Sequence, residues 1–300
     1  MKIIISTILL LTSLQTYAQF DYDSYMSFLS KENLLQNRKL ISLKVFQLEK
    51  HGGQTITSSQ QFNKNGLPTK IVEFDQKGQV AGNNDFVYDA SGIIKKIETY
   101  KKGKHENSTE FEINLLGQIT TFTEYGYSSY DGEKLFIWKT LLEYNSNNTL
   151  KKIIKLQGDN RDTTKISFYN SLGVKTKTRM NMDGLRTKKI EYIYNKDSTE
   201  MLEKHYENDT TVYSTITHRY KNRKEIEKID PSTSKKPFYW KYDTNGNVIE
   251  TNEAFFYVLY NKYNSEGFLT NKTLEILFSD SDEKNLPKKI EFKYDYQFRQ

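Results

Sequence analysis

Large apolar residues recur two positions apart along this chain, and each such pair runs into a turn signal. The clearest copies are Phe86-Val87-Tyr88-Asp89-Ala90-Ser91-Gly92, Trp240-Lys241-Tyr242-Asp243-Thr244-Asn245-Gly246 and Phe292-Lys293-Tyr294-Asp295. A spacing of two places both side chains on one face of a strand. The Asp then opens a turn in which Gly can take a positive φ. Turn positions at Gly66, Gly92 and Gly117 are 26 and 25 residues apart, and Asn148, Gly173, Ser198 and Arg223 follow at intervals of 25 after one step of 31. Gly246 and Gly267 come at closer spacing. Some 25 residues hold two strands and two turns, so one repeat is one hairpin. A single hairpin cannot bury its own apolar face, and stacking neighbours solves that. The pattern predicts an all-β fold, an antiparallel β-hairpin repeat meander that forms a long twisted or curled sheet, with turns near Gly92, Gly117, Gly173, Gly246 and Gly267.

The Tyr-Asp-x-x-Gly-hydrophobic pattern, sharpest at Tyr88 to Ile93 and Tyr242 to Val248 with Tyr263-Asn264-Ser265-Glu266-Gly267-Phe268 close behind, resembles the RHS/YD-repeat family. The resemblance covers roughly residues 60 to 300. It implies antiparallel sheets that curl into shells, here without the toxin or self-cleaving core segments that some members carry.

The ends of the chain read differently. Met1-Lys2, an apolar run from Ile3 to Leu14 and Thr16-Tyr17-Ala18 before Gln19 match a secretory signal peptide over residues 1–18. The run is too short to span a bilayer. Residues 19–60 are expected to hold a short helical cap, with Tyr22, Tyr25, Met26, Phe28 and Leu29 at helical spacing, and the first strands, beginning at Lys39 to Glu49. The hairpin array fills 61–300. At its far end Phe292, Tyr294, Tyr296 and Phe298 alternate with Lys293, Asp295, Gln297 and Arg299, a strand with one aromatic face.

Alternating aromatics also close transmembrane barrels. Such a barrel needs an unbroken lipid-facing apolar row in each strand, and here Glu73 shares a face with Ile71 and most rows hold a charge. With the signal peptide gone, 44 basic residues lose only Lys2 and stand against 38 acidic ones, a net charge of +5. That is weak for a nucleic-acid binder, and the basic residues are dispersed. Lys95-Lys96-Ile97-Glu98, Lys188-Lys189-Ile190-Glu191 and Lys288-Lys289-Ile290-Glu291 repeat one pattern, which reads as solvent-side charges that keep strands soluble. The chain has no cysteine, hence no disulfide framework.

Catalytic chemistry leaves little trace. His51, His105, His205 and His218 are far apart in sequence, lack zinc-ligand spacing, and read as exposed strand or loop residues rather than ligands. Asp280, Asp282 and Glu283 form an acidic loop without EF-hand spacing. No nucleophile elbow or phosphate loop occurs. The expectation is no catalytic residue, no metal and no cofactor. Asp162-Thr163-Thr164, Asp197-Ser198-Thr199 and Asp209-Thr210-Thr211 resemble acceptor sites for O-glycosylation in exported bacterial proteins, which would place modification on Thr163, Ser198 and Thr210, all at expected turns. The sequence therefore points to an exported, non-enzymatic scaffold or recognition protein of the cell envelope, periplasmic or extracellular. Its partner would be an envelope polysaccharide or protein, with no nucleic acid and no transmembrane segment after signal cleavage. The alternative is an envelope enzyme acting on polysaccharide.

Overall fold

A computed structural model describes residues 40–49, 53–128, 130–158, 162–182, 186–232, 237–254, 257–276 and 289–298. These form twenty strands: β1 (Leu40–Leu48), β2 (Gln54–Phe62), β3 (Pro68–Phe74), β4 (Val80–Tyr88), β5 (Ile94–Lys101), β6 (Lys104–Ile113), β7 (Ile119–Tyr127), β8 (Lys134–Tyr144), β9 (Leu150–Gln157) and β10 (Asp162–Tyr169). The second ten are β11 (Lys175–Met182), β12 (Arg186–Tyr194), β13 (Glu200–Tyr206), β14 (Val212–Lys221), β15 (Lys224–Ile229), β16 (Phe238–Tyr242), β17 (Val248–Ala254), β18 (Tyr257–Tyr263), β19 (Leu269–Ile276) and β20 (Lys289–Phe298). Among the described residues there is no helix. The signal peptide and the expected helical cap fall outside them.

Every strand pairs antiparallel with its successor, and β1 pairs on its free side with β20, Leu43 opposite Tyr296 and Val45 opposite Tyr294. The sheet is a closed barrel. This corrects the open, twisted or curled sheet expected from the repeats. An open meander leaves two rows of unpaired backbone groups, and closure pairs them with each other. The Ser42 hydroxyl donates to Gln297 at 3.1 Å across the join.

Alternation sorts the side chains onto two faces. Most of the buried hydrophobics share one of them: Ile71, Phe86, Ile97, Phe111, Phe122, Trp138, Leu142 and Leu150 belong to one cluster, and Tyr257, Leu259, Leu274, Ile290 and Phe292 to a second beside the join, whereas Val258 is buried on the other face. In a single-layer ring, side chains converge inward and diverge outward, so the face that buries them is the interior. The other face holds charges paired between strands: Lys70 with Asp85 at 3.1 Å, Arg219 with Glu227 at 2.6 Å and Lys241 with Glu250 at 2.8 Å across neighbours, and Lys134 on β8 with Glu110 on β6 at 2.7 Å over the strand between them. The Lys-Lys-Ile-Glu pattern follows from this. Ile97 points inward, while Lys96 and Glu98 lie on the outer face and pair with each other.

The repeat signature is a rim device. At Asp89 the side-chain Oδ1 accepts the N–H groups of Ser91 and Ile93, both at 2.9 Å, and the Gly92 N–H returns to the Asp89 carbonyl at 3.0 Å. Gly92 supplies the left-handed residue at φ 82°, and all five expected turn glycines share that conformation. Where Gly is lost, Asn148 at φ 65°, Ser198 at 52° and Arg223 at 63° adopt it instead. Tyrosines before four of the turns, and Tyr296 in the last strand, tie their hairpin to the one before. Tyr88 Oη donates to Pro68 O at 2.8 Å, Tyr144 to Ile119 O at 2.7 Å, Tyr242 to Glu225 O at 2.6 Å, Tyr263 to Val248 O at 3.1 Å and Tyr296 to Leu269 O at 2.9 Å. Phenylalanine fills space there equally well but cannot cap a carbonyl, which is why tyrosine marks the repeat.

Candidate functional site

The interior is not uniformly apolar. Along one row of cross-strand partners Phe111 faces Phe122, then Thr140, Lys155, Lys165 and Met180, so an aromatic surface grades into a polar one. Two ionisable groupings stand out on it.

The first spans β13 to β15. The β13–β14 hairpin sets Met201 opposite His218 and Glu203 opposite Ile216, while β14–β15 sets His218 opposite Lys228 and Tyr220 opposite Glu225. Glu203, His205, His218 and Glu225 thereby share the interior face. Glu203 Oε1 lies 2.7 Å from His205 Nε2, and its other oxygen is at ion-pair distance, 3.3 Å, from His218 Nε2. His218 Nδ1 is 2.6 Å from Glu225 Oε1. His218 is 8% exposed. Burial alone disfavours its charge, but the two flanking carboxylates outweigh that and raise its pKa to about 9. Burial likewise opposes ionisation of Glu203, and the hydrogen bonds and charges of His218 and His205 overcome it, leaving that carboxyl below its ordinary value. Burial, with Glu225 nearby, pushes the Tyr220 hydroxyl up.

The second spans β7 to β9. Glu124 faces Thr109 on β6 and Trp138 on β8. Lys155 on β9 places its Nζ 4.4 Å from the centre of the Trp138 ring. Burial raises the Glu124 pKa to about 7, against a smaller pull downward from Lys155 and from a hydrogen bond with Trp138. Burial also raises Glu73, the interior neighbour of Ile71.

The expectation of exposed histidines is corrected for His218, which is buried, and His205 is half-buried; the hairpin brings both onto one carboxylate. His105 has its own setting on the outer face, stacked between Tyr100 and Tyr127 at centroid distances of 4.9 and 3.8 Å and paired with Glu98. His51 and the acidic loop at Asp280, Asp282 and Glu283 lie outside the described residues. Among the described residues no group of three or more His, Cys, Asp or Glu side chains is arranged to hold a metal ion. Of the three acceptor candidates, Thr163 is exposed but stands within β10 opposite Leu156, a correction to its expected turn. A neighbouring ladder pairs it, so the Asp-Thr-Thr composition did not break the strand. Ser198 lies in the β12–β13 turn, and Thr210 in the β13–β14 loop, where its hydroxyl donates to Asn208 Oδ1 at 2.9 Å. The three do not gather at one place.

Glu203, Glu225 and Glu124 escape a reading by residue type, since each is one of many acidic residues. A register count would have found one of them. Once the turn around Asn208 to Thr210 is fixed, strand pairing puts Glu203 and His218 on one face of adjacent strands.

No protein-family model matches the chain, and no curated protein matches it. Among solved structures it is similar to a porin-like protein from Bacteroides uniformis ATCC 8492, at 9% identity over 88% of this chain and 98% of that one, with a TM-score of 0.41. It is also similar to part of the Photorhabdus luminescens Tc holotoxin pore, at 9% identity over 82% of this chain and 14% of that one, with a TM-score of 0.35. Neither likeness is close enough to transfer an activity.

Proposed function

We propose that this chain is an exported, non-enzymatic scaffold or recognition protein of the cell envelope, built from RHS/YD-type hairpins, and that its ligand is an envelope polysaccharide or protein. The observation that supports this reading is the chemistry of the two faces. The outer one is laced with ion pairs, and the inner one mixes aromatic rings such as Phe122 and Trp138 with Thr140, Glu124, Lys155 and Glu203. Flat apolar rings beside hydrogen-bonding groups suit a sugar or a peptide. Neither face offers a lipid belt, because a Lys or Arg at the bilayer midplane costs about 2–4 kcal/mol and every arc of the ring has charges at mid-strand.

The test is the behaviour of residues 19–300 in detergent-free buffer, followed by titration with envelope polysaccharide. A monodisperse protein that binds, and that loses binding on Trp240→Ala with its fold intact, supports the reading. Extraction only by detergent defeats it. The rival, an envelope enzyme acting on polysaccharide, rests on Glu124, whose pKa near neutrality suits a general acid. Polysaccharide cleavage that disappears in a folded Glu124→Gln protein would establish it.

A further inference from the structure

Each even-numbered strand hands over to its successor at one rim, the rim of the repeat's turns, and the tips of those turns differ. The first residue and the left-handed residue make the turn. Asn114 Oδ1 accepts the N–H groups of Leu116 and Gln118, both at 3.0 Å, and the Gly117 N–H returns to the Asn114 carbonyl at 3.0 Å. The two residues between them need no particular side chain, and at Ala90-Ser91, Ser146-Asn147 and Thr244-Asn245 they are small or polar. The β6–β7 turn instead carries Leu115 and Leu116, 106% and 69% exposed, and the β10–β11 turn carries Leu172, 78% exposed. Among the nine described turns of this rim, no other tip holds a large apolar residue.

These leucines sit on a stitched ridge. Gln118 Nε2 donates to Asn148 O at 3.2 Å, which ties the β6–β7 turn to the β8–β9 turn. Asn147 Nδ2 and Thr149 Oγ1 donate to Ser171 O at 2.8 and 3.0 Å, which ties that turn to the β10–β11 turn. Each step along the rim is two strands, so the three turns span about 20 Å. Within three residues of them stand Lys151, Lys152, Lys175 and Lys177 against Glu112 and Glu143, a net charge of 4−2, or +2. We propose that this ridge is a membrane-docking edge, with its leucine tips entering the interfacial zone of an anionic bilayer and its lysines facing the lipid headgroups.

A leucine at such a tip is out of reach of the interior, so only something outside the barrel can take it out of water. Three leucine side chains offer about 300 Å² of apolar surface. A stable protein–protein interface buries about 1,200 Å² or more, which these tips do not approach. They are also knobs on separate turns, with the polar Ser146-Asn147 tip between them, and a protein partner would need a pocket for each. A bilayer needs none. So small an apolar anchor holds only with a second signal, and the lysines supply it through anionic headgroups. Docking of this kind is peripheral and reversible, and leaves the protein soluble in detergent-free buffer. It takes from the proposed function only the envelope location. Trp240 lies on β16, outside the ridge, so polysaccharide binding and membrane docking fail separately.

Flotation of residues 19–300 with lipid vesicles tests this. Vesicles of phosphatidylglycerol and phosphatidylcholine in equal parts should carry the protein, and pure phosphatidylcholine should carry about tenfold less. The Leu115→Ser/Leu116→Ser/Leu172→Ser variant uses a residue that this rim already has at Ser146 and Ser171, so its thermal melt should be unchanged while its partition falls by about tenfold. Lys151→Gln/Lys175→Gln should lose about as much, and only on the anionic vesicles. The chain has no cysteine, so Leu172→Cys takes a polarity-sensitive dye at a single place. Its emission should shift to the blue on anionic vesicles, and the same dye at Lys77→Cys, on the opposite rim, should not shift. No binding to anionic vesicles, binding that survives the triple variant, or an equal dye shift at both rims would overturn the proposal. A dimer that the triple variant converts to a monomer would overturn it in favour of contact with a second copy of the chain.

Discussion

The arc of the ring from β3 to β9 and the arc from β12 to β15 are made of the same hairpin, yet their interiors differ in kind. The first buries Phe86, Phe111, Phe122, Trp138 and Leu142 in a continuous cluster and turns on Gly92, Gly117 and Asn148. The second places Glu203, His205, His218 and Glu225 on the equivalent face and turns on Ser198 and Arg223. Each arc also holds a half-buried carboxyl, and the two respond in opposite ways. Glu124 has one cation on the far side of an indole ring and is pushed up to about 7, whereas Glu203 has two imidazoles against its oxygens and is driven below its ordinary value. Burial disfavours both charges; what differs is whether a partner stands close enough to repay it. One register thus supports either a largely apolar wall or an ionic one.

Removing the apolar content of the first arc should have the largest effect. Trp138 is 6% exposed and packs edge-on against Phe122 at 5.4 Å. Trp138→Ala should cost about 3–5 kcal/mol in denaturant unfolding at any pH between 5 and 9. A pH-dependent loss would mean that the indole is held by its hydrogen bond to Glu124 rather than by packing.

In the second arc the corresponding change is electrostatic. Glu203→Gln should cost about 2 kcal/mol at pH 7, less than the loss of a fully buried ion because the group is partly solvated. The sign with pH is fixed by His218, whose pKa is raised on folding from 6.5 to about 9. Its contribution is complete below about 6.5 and disappears as pH rises through about 9. The cost of Glu203→Gln should therefore shrink between those values. A cost that stays constant to pH 10 would contradict the imidazolium.

Glu124 makes the opposite prediction on a smaller scale. Its carboxyl binds a proton in the folded chain up to about pH 7 but ionises near 4.5 when unfolded, so the folded state holds more protons in between and loses stability as pH rises through that window. Glu124→Gln should be neutral at pH 4 and stabilising by about 1–2 kcal/mol at pH 8. Thermal melts at the two pH values distinguish this from a salt bridge that holds the first arc together.

The smallest effect belongs to the turns. Ser198 occupies the left-handed region at φ 52°, the place that Gly92 and Gly117 take in the first arc. Ser198→Gly should raise stability by about 0.5–1 kcal/mol, while the same change at an exposed β-region serine should lower it.

The hairpins were legible in the sequence because their causes are local. Asp89, Asn114 and Asn264 each satisfy backbone N–H groups within four residues, and Tyr88 and Tyr242 each reach back one repeat. The outward Lys and Glu pattern was legible for the same reason. Closure was not, since it pairs Leu43 with Tyr296 and no short window holds both partners. The ionic arc lay between these extremes. His205 and His218 look unrelated along the chain, but they are thirteen residues apart on two arms of one hairpin, and only the register reveals that Glu203 stands between them. Thr163 misled because Asp and Thr favour turns by composition, whereas a strand partner at Leu156 outweighed that preference.

The join between β1 and β20 has a kinetic meaning. Every other strand can pair with the one made just before it, so nineteen of the twenty seams form by local addition of hairpins, each a low-entropy step. The last seam requires the two ends of the array to meet, and until they do the growing sheet presents two open edges, each a template for another chain. Assembly is thus a slow cyclisation that follows a fast zippering, and its vulnerable species is a nearly complete, unclosed sheet rather than an unfolded chain.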